Sequence, residues 1–189
     1  MGSESTDFLS FAETAVQSPA FEGLAPPLRI ALILGAFAFL TTALVSVTAF
    51  TRIVIVLSFV RRALSTQEIP PTPVVIGLAM FLTLFVMGPT LDKITAEAIA
   101  PYMDGQISGV EAIRAGGGRM HEFMIRNTRR ADLAAMISIS GVESPQTAEA
   151  TPLRILIPAF MLSELKTAFI MGFCIFVPFL LIDLVVSTV

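Results

Sequence analysis

The chain has little of what metal sites, disulfide-bonded folds and soluble domains depend on. Charged residues make up only 14% of its 189 residues, against about 25% in a typical soluble domain. It has one histidine and one cysteine, and no histidine, cysteine and carboxylate set has metal-ligand spacing. The lone Cys174 lies in an apolar run and has no intrachain partner, so it indicates no redox compartment.

Signals for catalysis and for nucleic-acid binding are also missing. No Ser/His/Asp or Cys/His arrangement surrounds a plausible pocket, and the single histidine, His121, is predicted to be a solvated helix residue. The stretch "AGGGRM" lacks the Lys-Ser/Thr pair of a phosphate-binding loop and is interpreted as a linker. With a net charge of −3 and no basic stripe, the chain does not resemble a nucleic-acid-binding protein. We therefore predict no enzymatic activity, no cofactor and no bound metal.

Tryptophan is absent and Tyr102 is the only tyrosine, so the usual aromatic belt at the bilayer interface is missing. Hydrophobic residues nevertheless make up 54% of the chain, and its mean hydropathy is +0.81. A single soluble core could not bury so much apolar surface. These values predict an all-α, polytopic membrane protein whose long apolar helices contact protein more than lipid.

Four segments are predicted. Residues 1–27 form an acidic tail with a short amphipathic helix that Pro19 ends, and residues 28–91 form two apolar helices joined by a basic turn. Residues 92–154 form a small helical extracytoplasmic domain, and residues 155–189 form a third apolar segment. Within 92–154 the pattern predicts a turn at Asp104-Gly105 and a capping box at Ser108 and Glu111. It also predicts a break at the glycines 116–118, followed by a helix over 119–140 that Gly141 ends.

The charge distribution predicts the topology. Arg61 and Arg62 lie in the short connection 61–73, which carries only one acidic residue, so this connection is predicted to be cytoplasmic. The acidic tail and residues 92–154 then lie on the other side of the membrane.

The apolar blocks are longer than a bilayer needs. Residues 30–60 as one helix would span about 46 Å, and residues 155–189 about 52 Å, against a hydrocarbon core of roughly 30 Å. Helix kinks are expected at Pro158 and Pro178, with Gly172 as a pliable point between them, so the third block is predicted to be bent or a hairpin.

Four charges interrupt these apolar blocks: Arg52, Glu164, Lys166 and Asp183. Each would cost about 2.5–3.5 kcal/mol at a bilayer centre, so each needs a protein partner or a water-filled path. Glu164 and Lys166 are two residues apart and point to different sides of a helix, so they cannot easily neutralise each other. The residues alone leave two interpretations open, namely a solute or ion pathway and a set of buried assembly contacts between subunits.

Four stretches resemble a known family: "FTRIVIVLSFVRRALST", "GLAMFLTLFVMGPTLDKI", "HEFMIRNTRRADL" and "RILIPAFMLSELKTAFIMGFCIFVPFLLIDLVVSTV". They are similar in order and spacing to the FliP/SctR family of type III secretion export-gate proteins. The resemblance covers about residues 28–189 and is closer to the flagellar branch than to the virulence branch.

This resemblance implies a non-enzymatic subunit of the flagellar export gate, in the bacterial inner membrane at the flagellar basal body. Members assemble as several copies with FliR and FliQ around a channel for unfolded flagellar proteins, which are supplied through FlhA and FlhB. Much of the helical mass of such complexes lies above the bilayer plane, which would suit over-long helices and charges that face neighbouring subunits. Family members continue into a methionine-rich loop and a further helix, so this chain is expected to be truncated at its C-terminus.

Overall fold

The computed structural model describes residues 23–64, 69–142, 145 and 147–188, and this part of the chain is helical with no strand. The α-helices are α1 Pro26–Ser46, α2 Phe50–Ala63, α3 Thr72–Ile94, α4 Ala100–Met103, α5 Gly109–Asn127, α6 Arg130–Ser140 and α7 Leu153–Ser187. A π-helical turn, Thr95–Ile99, joins α3 to α4, and a 3₁₀ turn, Ala148–Ala150, precedes α7. The predicted all-α class is confirmed. The amphipathic helix predicted in the N-terminal tail lies outside the described residues.

The helices form two compact units. Of the described residues, 23–44 and 92–119 belong to the first unit, and 45–91 and 120–188 belong to the second. The hydrophobic core of the second unit contains Ala49, Met87, Phe123, Met124, Leu156 and Phe160. The division of the chain into four segments at residues 27, 91 and 154 stays a prediction.

The first apolar block is two helices rather than one over-long helix. The break lies at Val47–Ala49, between α1 and α2. Two hydroxyls compete there for the carbonyl of Val45, which accepts from Thr48 at 3.2 Å and from Thr51 at 3.4 Å. Such side-chain hydrogen bonds offer the backbone an alternative to the helical pattern. The excess length expected for residues 30–60 is therefore removed by a break in the middle of the block.

The glycine-rich stretch does not interrupt the chain. Residues 116–118 lie inside α5, so the predicted break there is wrong, and the helix instead ends at Asn127. Gly141 ends α6 in the left-handed conformation, with φ of 64°, as predicted. The turn at Gly105, with φ of 69°, and the Ser108–Glu111 capping box are also confirmed. Glycine lowers helix propensity by about 1 kcal/mol relative to alanine but does not forbid a helix.

Three described helical segments are long and apolar enough to cross a membrane, namely Pro26–Ser46, Thr72–Met103 and Leu153–Ser187. Their apolar side chains are largely exposed, as Phe81 and Phe85 of α3 show with 75% and 82% of their surfaces accessible. Exposed apolar surface on this scale requires lipid or further protein around it. The chain is a membrane protein.

The third block is one continuous helix. α7 runs for 35 residues through both Pro158 and Pro178, so the hairpin considered for this block is excluded. At about 1.5 Å per residue it is about 52 Å long, well beyond a hydrocarbon core of roughly 30 Å. The bends expected at its prolines stay a prediction.

Candidate functional site

The polar stretch of α7 forms contacts with three other parts of the second unit. We call Ser163, Glu164 and Lys166, together with their partners Arg52, Asp132 and Arg129, the polar junction. The three α7 residues point in different directions from the helix axis, because successive residues differ by about 100°. Each of the three therefore reaches a different neighbour.

Glu164 pairs with Arg52 of α2. The Arg52 Nε lies 2.9 Å from Glu164 Oε2, and the exposed fractions of the two side chains are 21% and 2%. Among the described residues this oxygen has no aligned hydrogen-bond donor, so the contact is an ion pair by distance. A buried carboxylate without a cation is strongly unfavourable, so the pair links the position of α2 to that of α7.

Lys166 pairs with Asp132 in the first turn of α6, and its ammonium donates to Asp132 Oδ1. Asp132 is buried, with 3% of its side chain exposed, whereas the lysine side chain is 51% exposed. Lysine can bury its stem while its ammonium stays near water. Arg129 lies only three residues before Asp132, but Asp132 forms its ion pair with Lys166 of α7.

Ser163 bonds to the break between α5 and α6. Its Oγ accepts from the Arg129 N–H at 2.9 Å and donates to the Asn127 carbonyl at 3.5 Å. The serine is fully buried. Buried backbone groups at helix ends need such partners because they have none inside the helix. Ser163 therefore supplies the hydrogen bonds that a chain break opposite an apolar helix would otherwise lack.

Gly172 lies at a close helix contact. A Cβ at this position would overlap the ring of Phe59 on α2. Phe59 also packs edge-to-face on Phe169, with ring centroids 5.9 Å apart. The contacts of Arg52 with Glu164 and of Phe59 with Gly172 follow the same order along both helices, so α2 and α7 run parallel.

The other titratable groups singled out in the sequence lie apart from the junction. Asp183 is exposed near the end of α7, and the ring Nε2 of His121 lies 2.8 Å from the carbonyl oxygen of Thr151. In the first unit, the Ser108 N–H donates to Glu111 at 2.8 Å, and this hydrogen bond lowers the pKa of the Glu111 carboxyl. In the described part of the chain, no group of three or more histidine, cysteine and carboxylate residues could hold a metal ion.

Comparison with known proteins identifies the family. The profile described as "FliP family" matches residues 33–189. The chain belongs to the FliP family. It is 46% identical to the flagellar biosynthetic protein FliP of Bacillus subtilis strain 168 over 168 residues, which are 89% of this chain and 76% of that protein. It is 49% identical to FliP of Pectobacterium carotovorum, covering 84% of this chain and 61% of the relative. The FliP of Cereibacter sphaeroides is 45% identical, with coverage of 86% and 54%.

The sequence-based family assignment and its flagellar branch are thereby confirmed, and the alternative of a small-solute or ion transporter is not favoured. This FliP-family chain spans less than two thirds of the length of two of these three relatives. It is a membrane protein of the flagellar apparatus.

Sequence reasoning found half of the polar junction of this FliP-family chain. It singled out Arg52, Glu164 and Lys166, because charges stand out in apolar blocks. It missed Asp132, Arg129 and Ser163 as junction residues, since charged residues in a polar segment and a serine in a membrane helix are ordinary. It interpreted Gly172 as a pliable point of the helix, which stays a prediction, and it did not find the contact of this glycine with Phe59. No local signal in the sequence reports which distant ring approaches a glycine.

Proposed function

We propose that this chain is an export-gate subunit of the flagellar type III protein secretion apparatus. The observation that carries the proposal is the FliP-family match over residues 33–189. In this role the chain contributes helices to the wall of a channel for unfolded flagellar proteins and has no catalytic step of its own. Its proposed partners are further copies of itself, FliR and FliQ in the gate, and FlhA and FlhB at the inner membrane. The proposed location is the flagellar basal body.

The surface of the chain supports an assembled state. Large apolar side chains are exposed along α1, α3 and α7, and α7 exceeds the thickness of a bilayer core by about 20 Å. Lipid alone covers only part of a helix this long, even when it is tilted. Neighbouring subunits would cover the rest of the apolar surface.

The internal charge pairs argue against a transporter. A solute pathway needs polar groups that face a water-filled cavity. Glu164 and Asp132 are instead buried and paired with Arg52 and Lys166. Three of the four charged residues considered as a cargo site thus form ion pairs that hold helices of the same chain together, and Asp183 lies far along α7 from both pairs.

Co-expression with FliR and FliQ tests the proposal. We expect the three proteins to be isolated together in mild detergent, with several copies of this chain per complex. Reconstituting the purified chain alone into vesicles supplies the opposing test. Solute flux that disappears on Asp183→Asn, without any association with FliR or FliQ, would support the transporter and contradict the export gate.

The role of the junction charges in assembly is tested separately. We propose that Glu164 and Lys166 support assembly, because they fix the position of α7 that other subunits contact. Glu164→Ala and Lys166→Ala should both reduce the recovery of the complex and swimming motility. Normal recovery with failed export would instead assign these residues to the channel.

A further inference from the structure

An apolar groove lies between α2 and α7 in the second unit. Phe59 of α2 and Phe169, Ile170, Phe173 and Cys174 of α7 line it, and its volume is about 350 Å³. Four of the five lining side chains are hydrocarbon, and a free cysteine behaves as a small hydrophobic residue. We call this space the phenylalanine groove. Nothing polar inside it could bind the head of a polar ligand.

One end of the phenylalanine groove is basic. The Arg62 guanidinium lies 5.1 Å from the centroid of the Phe59 ring, and Arg62 follows Phe59 by one turn of α2. Its neighbour Arg61 donates to the Thr72 hydroxyl at 3.1 Å. Neither arginine forms an ion pair with a carboxylate of the described residues. Within the part of the chain that the structure describes, a cationic end without a carboxylate partner therefore adjoins a slot with an apolar lining.

We propose that the phenylalanine groove binds one acyl chain of an anionic phospholipid, whose phosphate pairs with Arg62. The planar guanidinium forms bidentate hydrogen bonds with phosphate oxygens. It should favour a lipid whose headgroup has no compensating cation, because such a lipid keeps a net negative charge. A partner helix is about 10–12 Å across and would not enter a slot of this volume. The site is independent of the proposed export function, because any membrane containing anionic lipid supplies the ligand.

Photolabelling in vesicles tests the site. The purified full chain is reconstituted with a phosphatidylglycerol that carries a diazirine near the end of one acyl chain. A phosphatidylcholine with the same photoreactive chain is the comparison. We expect phosphatidylglycerol to label residues 169–174 preferentially. Arg62→Gln should lower this labelling roughly fivefold, because a basic residue near a lipid surface attracts anionic lipid by that factor.

Matched variants distinguish labelling inside the phenylalanine groove from labelling of the exposed protein surface. Arg130→Gln removes an exposed arginine of α6 and should leave the labelling unchanged. Ile170→Trp fills the groove and should abolish it, whereas Ile139→Trp, at a 77% exposed position of α6, should not.

Two results would overturn the proposal. The first is labelling of residues 169–174 that is equal for the two lipids or unaffected by Arg62→Gln. The second comes from a photoreactive amino acid at position 173 in the assembled complex. Capture of another polypeptide there, rather than lipid, would make the groove a protein interface.

Discussion

At the scale of single residues, the burial of an ion pair, rather than the number of ion pairs, determines how much the pair contributes to stability. Asp132 is nearly inaccessible in its pair with Lys166, whereas Glu97 and Arg119 of the first unit have 45% and 35% of their side chains exposed. Removing one partner of a buried pair leaves an uncompensated charge at a cost of about 3–5 kcal/mol. Exposed pairs contribute about 0–1 kcal/mol, because water and salt screen them.

Lys166→Met should therefore lower the free energy of unfolding by about 3 kcal/mol, the low end of that range because the lysine is half exposed. Adding Asp132→Asn should restore part of the loss, since the uncompensated carboxylate is then removed. Denaturant titration of the purified protein in detergent measures both variants. The control is Arg119→Met, which removes one partner of an exposed pair. An equally large loss of unfolding free energy in this control would mean that burial does not determine the cost of removing a partner.

Gly172 gives a second prediction at this scale. Gly172→Ala places a methyl group into the ring of Phe59, and overpacking of this kind costs about 1–3 kcal/mol. Gly77→Ala on α3 is the matched control, because a Cβ there meets nothing within 4 Å. Thermal unfolding in detergent compares the two variants. If Gly172→Ala were as stable as Gly77→Ala, α2 and α7 would not be in close contact at this point.

At the scale of helices, the sequence predicted which segments are helical better than where the helices break. Long apolar runs indicated α1, α3 and α7. The Ser108–Glu111 and Gly141 caps could be predicted because each depends only on residue types at a short spacing along the chain. The break at Val47–Ala49 depends on two threonines competing for one carbonyl, and the break after Asn127 depends on Ser163, which lies 36 residues further along the chain. The second of these contacts joins distant residues and is therefore not visible in a local pattern.

Substitution of the glycines in α5 tests whether the helix continues through residues 116–118. Gly117 and Gly118 lie within the helix, and a Cβ at either meets nothing within 4 Å. Gly117→Ala and Gly118→Ala should each stabilise the helix by about 0.5–1 kcal/mol, because alanine loses less backbone entropy on folding. Amide hydrogen exchange across α5 should slow in both variants. Unchanged or faster exchange would indicate that the glycine stretch interrupts the helix, as the sequence pattern predicted.

At the scale of the whole molecule, the basic connection predicts the orientation in the membrane. By the positive-inside rule, Arg61 and Arg62 predict that residues 61–73 lie on the cytoplasmic side. In a Cys174→Ser background, which removes the only native thiol, a cysteine at Ser65 should resist a membrane-impermeant maleimide in intact cells. A cysteine at Met103, which is 78% exposed, should react. The reverse pattern would invert the topology.

The family assignment and the exposed apolar helices together support the proposed assembly of this chain into an export gate. A subunit that forms the channel wall of the flagellar export gate is needed for every protein that leaves through it. The most direct measurement is the amount of filament protein secreted into the medium by the source bacterium after deletion of the gene that encodes this chain. We predict that secretion stops and that a plasmid copy of the gene restores it. Secretion at the wild-type level in the deletion strain would contradict the account.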